Sequence, residues 1–209
     1  MAVGEAPYWT SGLTIPSSGP AFGGPLKSNV RHHTVHLCHT PEAVASAISF
    51  DTTRVIAIDG FQGSGKTTLA RALSEQWNIP VVSADNYLIR NQGAFFNSLR
   101  IEWLSAALGA HERYIFEGVC CLQVLQAIGV NANVLVYVKR MAAWGWADED
   151  ELASFASAPS STAEETPPLA EIRDPLQITL RDLWEEVAQY HWQYRPHEVA
   201  DLSYERSAA

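Results

Sequence analysis

Short apolar runs alternate along the chain with longer stretches in which apolar residues recur every three or four positions, a pattern that predicts strands and helices taken in turn. Val55 to Ile58, Pro80 to Ala84, Tyr114 to Phe116 and Val134 to Val138 read as strands buried on both faces, because they are continuously apolar rather than alternating. Between them, Leu69, Ala70, Leu73 and Trp77 fall at helical spacing, as do Leu99, Trp103, Leu104, Ala107 and Leu108 within Asn97 to Leu108. Cys121 to Ile128 reads as a further helix. Strands and helices in this order predict an α/β fold: a doubly wound parallel sheet with helices on both faces.

The flanks extend the pattern. Residues 1–30 mix Gly, Pro, Ser and Thr without periodicity and are expected to form a mobile tail, leaving 31–209 as a single domain. Thr34 to Cys38 predicts a short strand, and Thr40-Pro41-Glu42 a capped helix ending near Phe50. Residues 141–173 change character, with Trp144 and Trp146 flanking a glycine, an acidic run, and then a stretch rich in Ala, Ser, Pro and Glu; a lid or flexible insert is expected there. Asp174-Pro175 starts a helix carrying Leu176, Leu180, Leu183, Trp184, Val187 and His191 on one face, Arg195-Pro196 ends it, and Ala200 to Tyr204 predicts a last strand. Trp184 and Trp192 are expected to pack in the core, and Trp144 and Trp146 are better placed to stack on a base.

The charge balance narrows the partners. Fourteen Lys and Arg against 23 Asp and Glu give a net charge of −9, which argues against wrapping a nucleic-acid backbone. Only Lys27, Lys66 and Lys139 are lysines, so any anion must be met by a small local site. Three cysteines, two of them adjacent, make no disulfide framework, and a reducing cytoplasm is the expected location. No apolar stretch approaches the ~20 residues of a membrane span, so no membrane partner is expected. The cluster His32, His33, His36, Cys38 and His39 lacks a second ligand pair at zinc-finger spacing and reads as a polar strand.

The chemistry is concentrated where the strand at Val55 runs into Gly60-Phe61-Gln62-Gly63-Ser64-Gly65-Lys66-Thr67-Thr68, the P-loop pattern G-x-x-x-x-G-K-T. Its glycines let the backbone double back so that successive N–H groups face phosphate oxygens at the start of a helix. Lys66 can reach the β- and γ-phosphates of a nucleoside triphosphate, and the Thr67 hydroxyl can ligate the accompanying Mg²⁺. Asp59 orders the loop. Phe61 and Gln62 sit at variable-type positions.

In a parallel sheet, ligands lie beyond the carboxyl ends of the strands, so acids ending the neighbouring strands are the next candidates. Asp85 follows the second strand and Glu117 ends the third. Asp85 is the candidate base for an acceptor hydroxyl and Glu117 the candidate for Mg²⁺ or its water shell, with the two roles exchangeable and Asp85 a possible metal ligand. The alternative is structural: Asp85 caps a turn, and Glu117 pairs with Arg113 or Arg140.

Taken together, Ile58-Asp59-Gly60-x-x-Gly63-Ser64-Gly65-Lys66-Thr67-Thr68-Leu69-Ala70, Asp85-Asn86-Tyr87, Phe116-Glu117-Gly118-Val119 and Tyr190-His191-x-x-Tyr194-Arg195-Pro196 followed by Ala200-Asp201 resemble the uridine kinase and phosphoribulokinase family of P-loop kinases. The resemblance covers about residues 50–140 and 184–204. It implies a P-loop kinase fold, ATP and Mg²⁺ as cofactors, a substrate-side carboxylate at Asp85, and a small alcohol as acceptor, with a nucleoside leading.

The sequence departs from that pattern after the fourth strand, where family members carry several lid arginines. Here only Lys139 and Arg140 precede the acidic run, so Arg140 or Arg173 must supply the charge on the transferring phosphate. Asn91 to Arg100, with Phe95, Phe96 and Arg100, is the candidate acceptor wall, and Tyr87, Phe95 and Arg100 are the candidate substrate residues. The sparse lid cations keep a second reading open, a nucleotide-binding regulatory protein on a degenerate kinase fold. A GTP switch is disfavoured because no Asn-Lys-x-Asp string is present.

Overall fold

The computed structural model describes residues 35–89, 95–156 and 175–207, with side chains at 154–156 and 175–182 left aside. The expected tail at 1–30, Arg173 and most of the 141–173 segment beyond Ala156 lie outside the described residues.

In chain order the strands are β1 (His36–Cys38), β2 (Val55–Asp59), β3 (Val81–Ser83), β4 (Tyr114–Glu117), β5 (Val134–Ala142), β6 (Gly145–Trp146) and β7 (Leu202–Ser207). The helices are α1 (Pro41–Ala47), α2 (Lys66–Trp77), α3 (Ile101–Gly109), α4 (Cys121–Ile128), α5 (Glu149–Ala156), α6 (Pro175–Tyr194) and α7 (Pro196–Val199). Six strands form a parallel sheet in the order β1-β7-β5-β2-β4-β3, and β6 folds back antiparallel onto the far end of β5. This is the α/β P-loop NTPase architecture, with the P-loop strand β2 at the centre.

The sheet separates two apolar layers. Ile56, Ile58, Val136, Val138, Leu202 and Tyr204 pack on one face with Leu69, Ala70 and Leu73 of α2 and Val44 of α1. Ala57, Phe116, Leu135 and Tyr137 pack on the other with Leu104 and Leu108 of α3, Val124 and Leu125 of α4, and Val187 and Tyr190 of α6. The uninterrupted burial of β2 and β4 explains their unbroken apolar sequence.

Several boundaries differ from expectation. The segment read as one helix from Asn97 divides into a 3-10 turn at Phe96–Ser98 and α3 from Ile101, because the Tyr87 carbonyl takes the Arg100 N–H and Leu88 bridges Leu99. α1 stops at Ala47, and a separate 3-10 turn spans Phe50–Thr52. Strand β5 runs on to Ala142 through the β6 hairpin, so the first part of the 141–173 segment is a hairpin followed by α5. Trp184 and Trp192 are 45% and 68% exposed, not core residues, since Val187, Ala188, Tyr190 and His191 occupy the buried face of α6.

Among the described residues no helix is long and apolar enough to cross a membrane. Cys38 is buried, His36 is exposed, and His39 lies 3.8 Å from Glu205; no group of three or more metal-ligating side chains gathers among the described residues.

Candidate active site

The cradle begins where β2 ends. Gly60, Gly63 and Gly65 have φ of 147°, 70° and 104°, left-handed geometry that a side chain would strain. Space is as decisive as conformation: a Cβ on Gly60 would stand 2.6 Å from the Val138 carbonyl oxygen, and one on Gly65 would stand 2.9 Å from Cδ of Arg206. The chain then enters α2, where Lys66 is 8% exposed and donates from Nζ to the carbonyls of Gly60 at 3.0 Å and Phe61 at 2.7 Å. An ammonium held across the loop by its own carbonyls lies within reach of whatever anion the loop N–H groups bind. Ser64 is fully buried, and its Oγ has no partner among the described residues. Gln62, Gly63, Thr67 and Thr68 are exposed along the mouth.

Asp59 sets the first turn of the cradle. It is wholly buried; Oδ1 accepts the Gly60 N–H at 2.7 Å, and Oδ2 accepts the Tyr190 hydroxyl. Burial raises its pKa to about 6 against those hydrogen bonds and the nearby Lys66 charge, which act to lower it. Next in α6, His191 stacks on Phe61 with ring centroids 4.2 Å apart. His191 Nδ1 faces the Val187 carbonyl at 2.7 Å, so that nitrogen carries the proton and Nε2 accepts the Tyr137 hydroxyl at 2.9 Å. Burial lowers the His191 pKa to about 4. The cradle is thus gripped by α6 at two consecutive positions.

The acids stand on the β4 and β3 side. Glu117 pairs in register with Ser83 of β3 and Ile58 of β2, and it is 2% exposed. Thr67 Oγ1 lies 3.4 Å from both Glu117 carboxylate oxygens. The two arginines that might have paired with Glu117 are engaged elsewhere: Arg113 donates to the Asp51 carbonyl over the Phe50 ring, and Arg140 meets Asp148 at 2.6 Å. Asp85 lies in the 3-10 turn after β3, exposed, with no side-chain hydrogen bond among the described residues. The strand ends approach closely because Gly118 has no side chain; a Cβ there would sit 2.8 Å from that of Ala84.

These groups fit a chain of phosphates and a divalent cation. The cradle leaves no free space for a side chain at Gly60 or Gly65, a lysine crosses it, and a hydroxyl and a carboxylate converge at its edge, a hard oxygen donor set suited to Mg²⁺. Of the acceptor-side candidates, Tyr87 is half-buried and Arg100 is exposed with its guanidinium 5.6 Å from the Trp103 ring centroid. Phe95 is only 4% exposed and belongs to the core. It is drawn inward because the Glu186 carboxylate accepts the N–H groups of both Phe95 and Phe96. Arg140 is tied to an aspartate that is itself 2% exposed. Trp144 is 81% exposed, whereas Trp146 packs edge-on to Tyr137 beneath Lys139.

Solved structures to which this chain is similar include three described as kinases. A possible uridine kinase from Bacillus stearothermophilus is 15% identical, with 78% of this chain and 96% of that one covered and a TM-score of 0.49. A shikimate kinase from Bacteroides thetaiotaomicron is 14% identical over 74% and 87% of the two chains, with a TM-score of 0.38. A sugar kinase from Janibacter is 20% identical over 65% and 96%, with a TM-score of 0.33. No protein-family model and no curated protein matches the sequence.

The sequence singled out Tyr190 and His191 only as part of a closing string, without their contacts to Asp59 and Phe61, and did not reveal Glu186 or Arg206. Glu186 and Tyr190 are one helical turn apart, and Arg206 continues the inward parity of Leu202 and Tyr204; those are the signals that could have exposed them.

Proposed function

We propose that this protein is an ATP-dependent phosphotransferase that moves the γ-phosphate to a hydroxyl of a small molecule, with a nucleoside the leading acceptor. The observation that carries this reading is the convergence of Lys66, Thr67 and Glu117 at one end of the sheet, the Thr67 hydroxyl 3.4 Å from both Glu117 oxygens, with Asp85 exposed on the adjoining strand end.

Phosphoryl transfer asks mainly for positioning and charge stabilisation. The loop N–H groups from Gly60 to Thr68 would bind the β-phosphate, and Lys66 would leave the Gly60 and Phe61 carbonyls to meet the β- and γ-oxygens. Thr67 and Glu117 would hold Mg²⁺, which when bound neutralises charge between those phosphates. Asp85 would accept the proton of the attacking hydroxyl, with Tyr87 and Arg100 bordering the acceptor. All three cysteines are free and buried, which supports work in a reducing cytoplasm.

The Arg140–Asp148 pair favours a second reading. With that guanidinium neutralised, a protein that binds nucleotide and signals its presence without transfer has the same cradle. Transfer from ATP to a panel of nucleosides and small alcohols decides between the two. Acceptor-dependent consumption of ATP supports the kinase; tight ATP binding with no productive acceptor supports the regulatory protein.

A further inference from the structure

The charge left unanswered at the cradle belongs to Arg206 in β7. A Cβ on Gly65 would meet Arg206 Cδ at 2.9 Å, a guanidinium terminal nitrogen at 3.0 Å and Nε at 3.4 Å, so the arginine lies along the flank of the phosphate loop at the residue that opens α2. Strand pairing fixes it there. Arg206 is the register partner of Arg140 on β5, and its side chain follows the inward parity of Leu202 and Tyr204 on the α2 side of the sheet.

Two arginines in register on neighbouring strands repel unless acids or a ligand compensate them. Arg140 has Asp148 at 2.6 Å. No carboxylate pairs with Arg206 among the described residues, although the chain carries a net charge of −9. Of the other cations near the loop, Lys66 rests on two carbonyls and is already assigned to the β- and γ-oxygens, and Lys139 lies over the Trp146 ring at 4.7 Å. A half-buried guanidinium against a glycine at a helix N-terminus is a cation positioned for an anion.

We propose that Arg206 binds a non-transferred phosphate of the donor nucleotide, an assignment that rests on the nucleotide reading above. Sheet order sets which phosphate. Glu117 and Asp85 stand on the β4 and β3 side of β2, and Arg206 stands on the opposite side, beyond β5. A triphosphate with its γ end toward the acids runs its remaining phosphates toward β7. The guanidinium thereby supplies, from the sheet itself, positive charge beside a segment after β5 that carries one arginine, Arg173, ahead of α6.

Calorimetric titration with Mg²⁺-ADP and with Mg²⁺-pyrophosphate tests this on the full chain. Arg206→Met keeps the aliphatic stem against Gly65 and removes the charge, whereas Arg206→Lys keeps a charge. The expected result is a loss of about tenfold in affinity for both ligands in Arg206→Met, the scale of one charge-assisted hydrogen bond, with most of it recovered in Arg206→Lys. Unchanged affinity in Arg206→Met with an unchanged melting temperature overturns the assignment and leaves Arg206 a packing residue. A loss confined to ADP places the contact on the nucleoside and overturns it as well. A parent protein that binds neither ligand overturns the nucleotide reading itself, an outcome distinct from a parent that binds both while the variants match it.

Discussion

The Tyr190 hydroxyl on α6 donates to the carboxylate of Asp59, whose other oxygen holds the first N–H of the phosphate loop. A wholly buried acid is thus shared between the loop and a helix 131 residues farther along the chain. Tyr190→Phe leaves that carboxylate short of a donor, and the Leu122 N–H, 3.2 Å from the same hydroxyl, loses its acceptor. The expected cost is about 1–3 kcal/mol of stability, measured by urea unfolding, together with weaker ADP binding from a loosened turn. Unfolding with parent-like stability would show that the contact is dispensable.

Lys66→Ala and Asp85→Asn should separate binding from transfer. The lysine variant is expected to lose nucleotide affinity. The aspartate variant should bind ATP like the parent and lose transfer by about 100-fold or more, as removal of a general base does. An Asp85→Asn protein that transfers phosphate at the parental rate would remove that residue from the reaction.

Thr67→Val keeps the shape of the side chain and removes one of the two converging oxygen groups beside Glu117. The Mg²⁺ concentration needed for half-maximal nucleotide binding should rise about tenfold or more while fold stability stays near that of the parent. An unaltered Mg²⁺ dependence would take Thr67 out of the cation site.

Gly118→Ala drives a methyl group to 2.8 Å from the Ala84 Cβ. Backbone must move to relieve it, and a destabilisation of about 1–3 kcal/mol is expected from overpacking. Because the displaced strand ends carry Glu117 and Asp85, transfer should fall further than stability does, a comparison that paired unfolding and activity measurements make directly.

Two buried groups beneath the loop give stability opposing dependences on pH. The Asp59 pKa is raised to about 6, so its contribution is fully present below its unfolded value near 4 and is lost as the pH rises through 6. The His191 pKa is lowered to about 4, so its contribution is present above its unfolded value near 6.5 and is lost as the pH falls toward 4. Between pH 7 and pH 5 the two trends largely cancel in the parent. In His191→Phe only the Asp59 trend remains, and the variant should gain about 2 kcal/mol relative to the parent over that interval. Urea unfolding at the two pH values checks this, and parallel trends in both proteins would refute it.

The sequence made the central sheet legible because β2, β4 and β5 are buried on both faces and carry unbroken apolar runs. Glycine spacing likewise gave the cradle. What stayed hidden was set by partners distant in the chain. Phe61 occupies a position that motif spacing leaves open, yet it is 5% exposed because His191 stacks on it. Phe95 reads as a pocket aromatic but is pulled into the core by the Glu186 carboxylate 91 residues away. Arg140 reads as a lid cation or as a partner of Glu117, and only the hairpin of β5 and β6 shows why Asp148 reaches it instead. Helical periodicity identified α6 but not which of its aromatics face inward, since Trp184 and Tyr190 carry similar apolar weight in a pattern.

Strand β7 lies between β5 and β1, with His36 paired to Leu202 across 166 positions. Closing so long a loop makes this junction a late and slow event in folding, and among the described residues β1 has no other strand to join. A chain cut ahead of Leu202 would therefore lose more than one strand. It would strand β1 and α1 without their seat, bare the flank of β5, and leave a sticky open border where a sealed one should be.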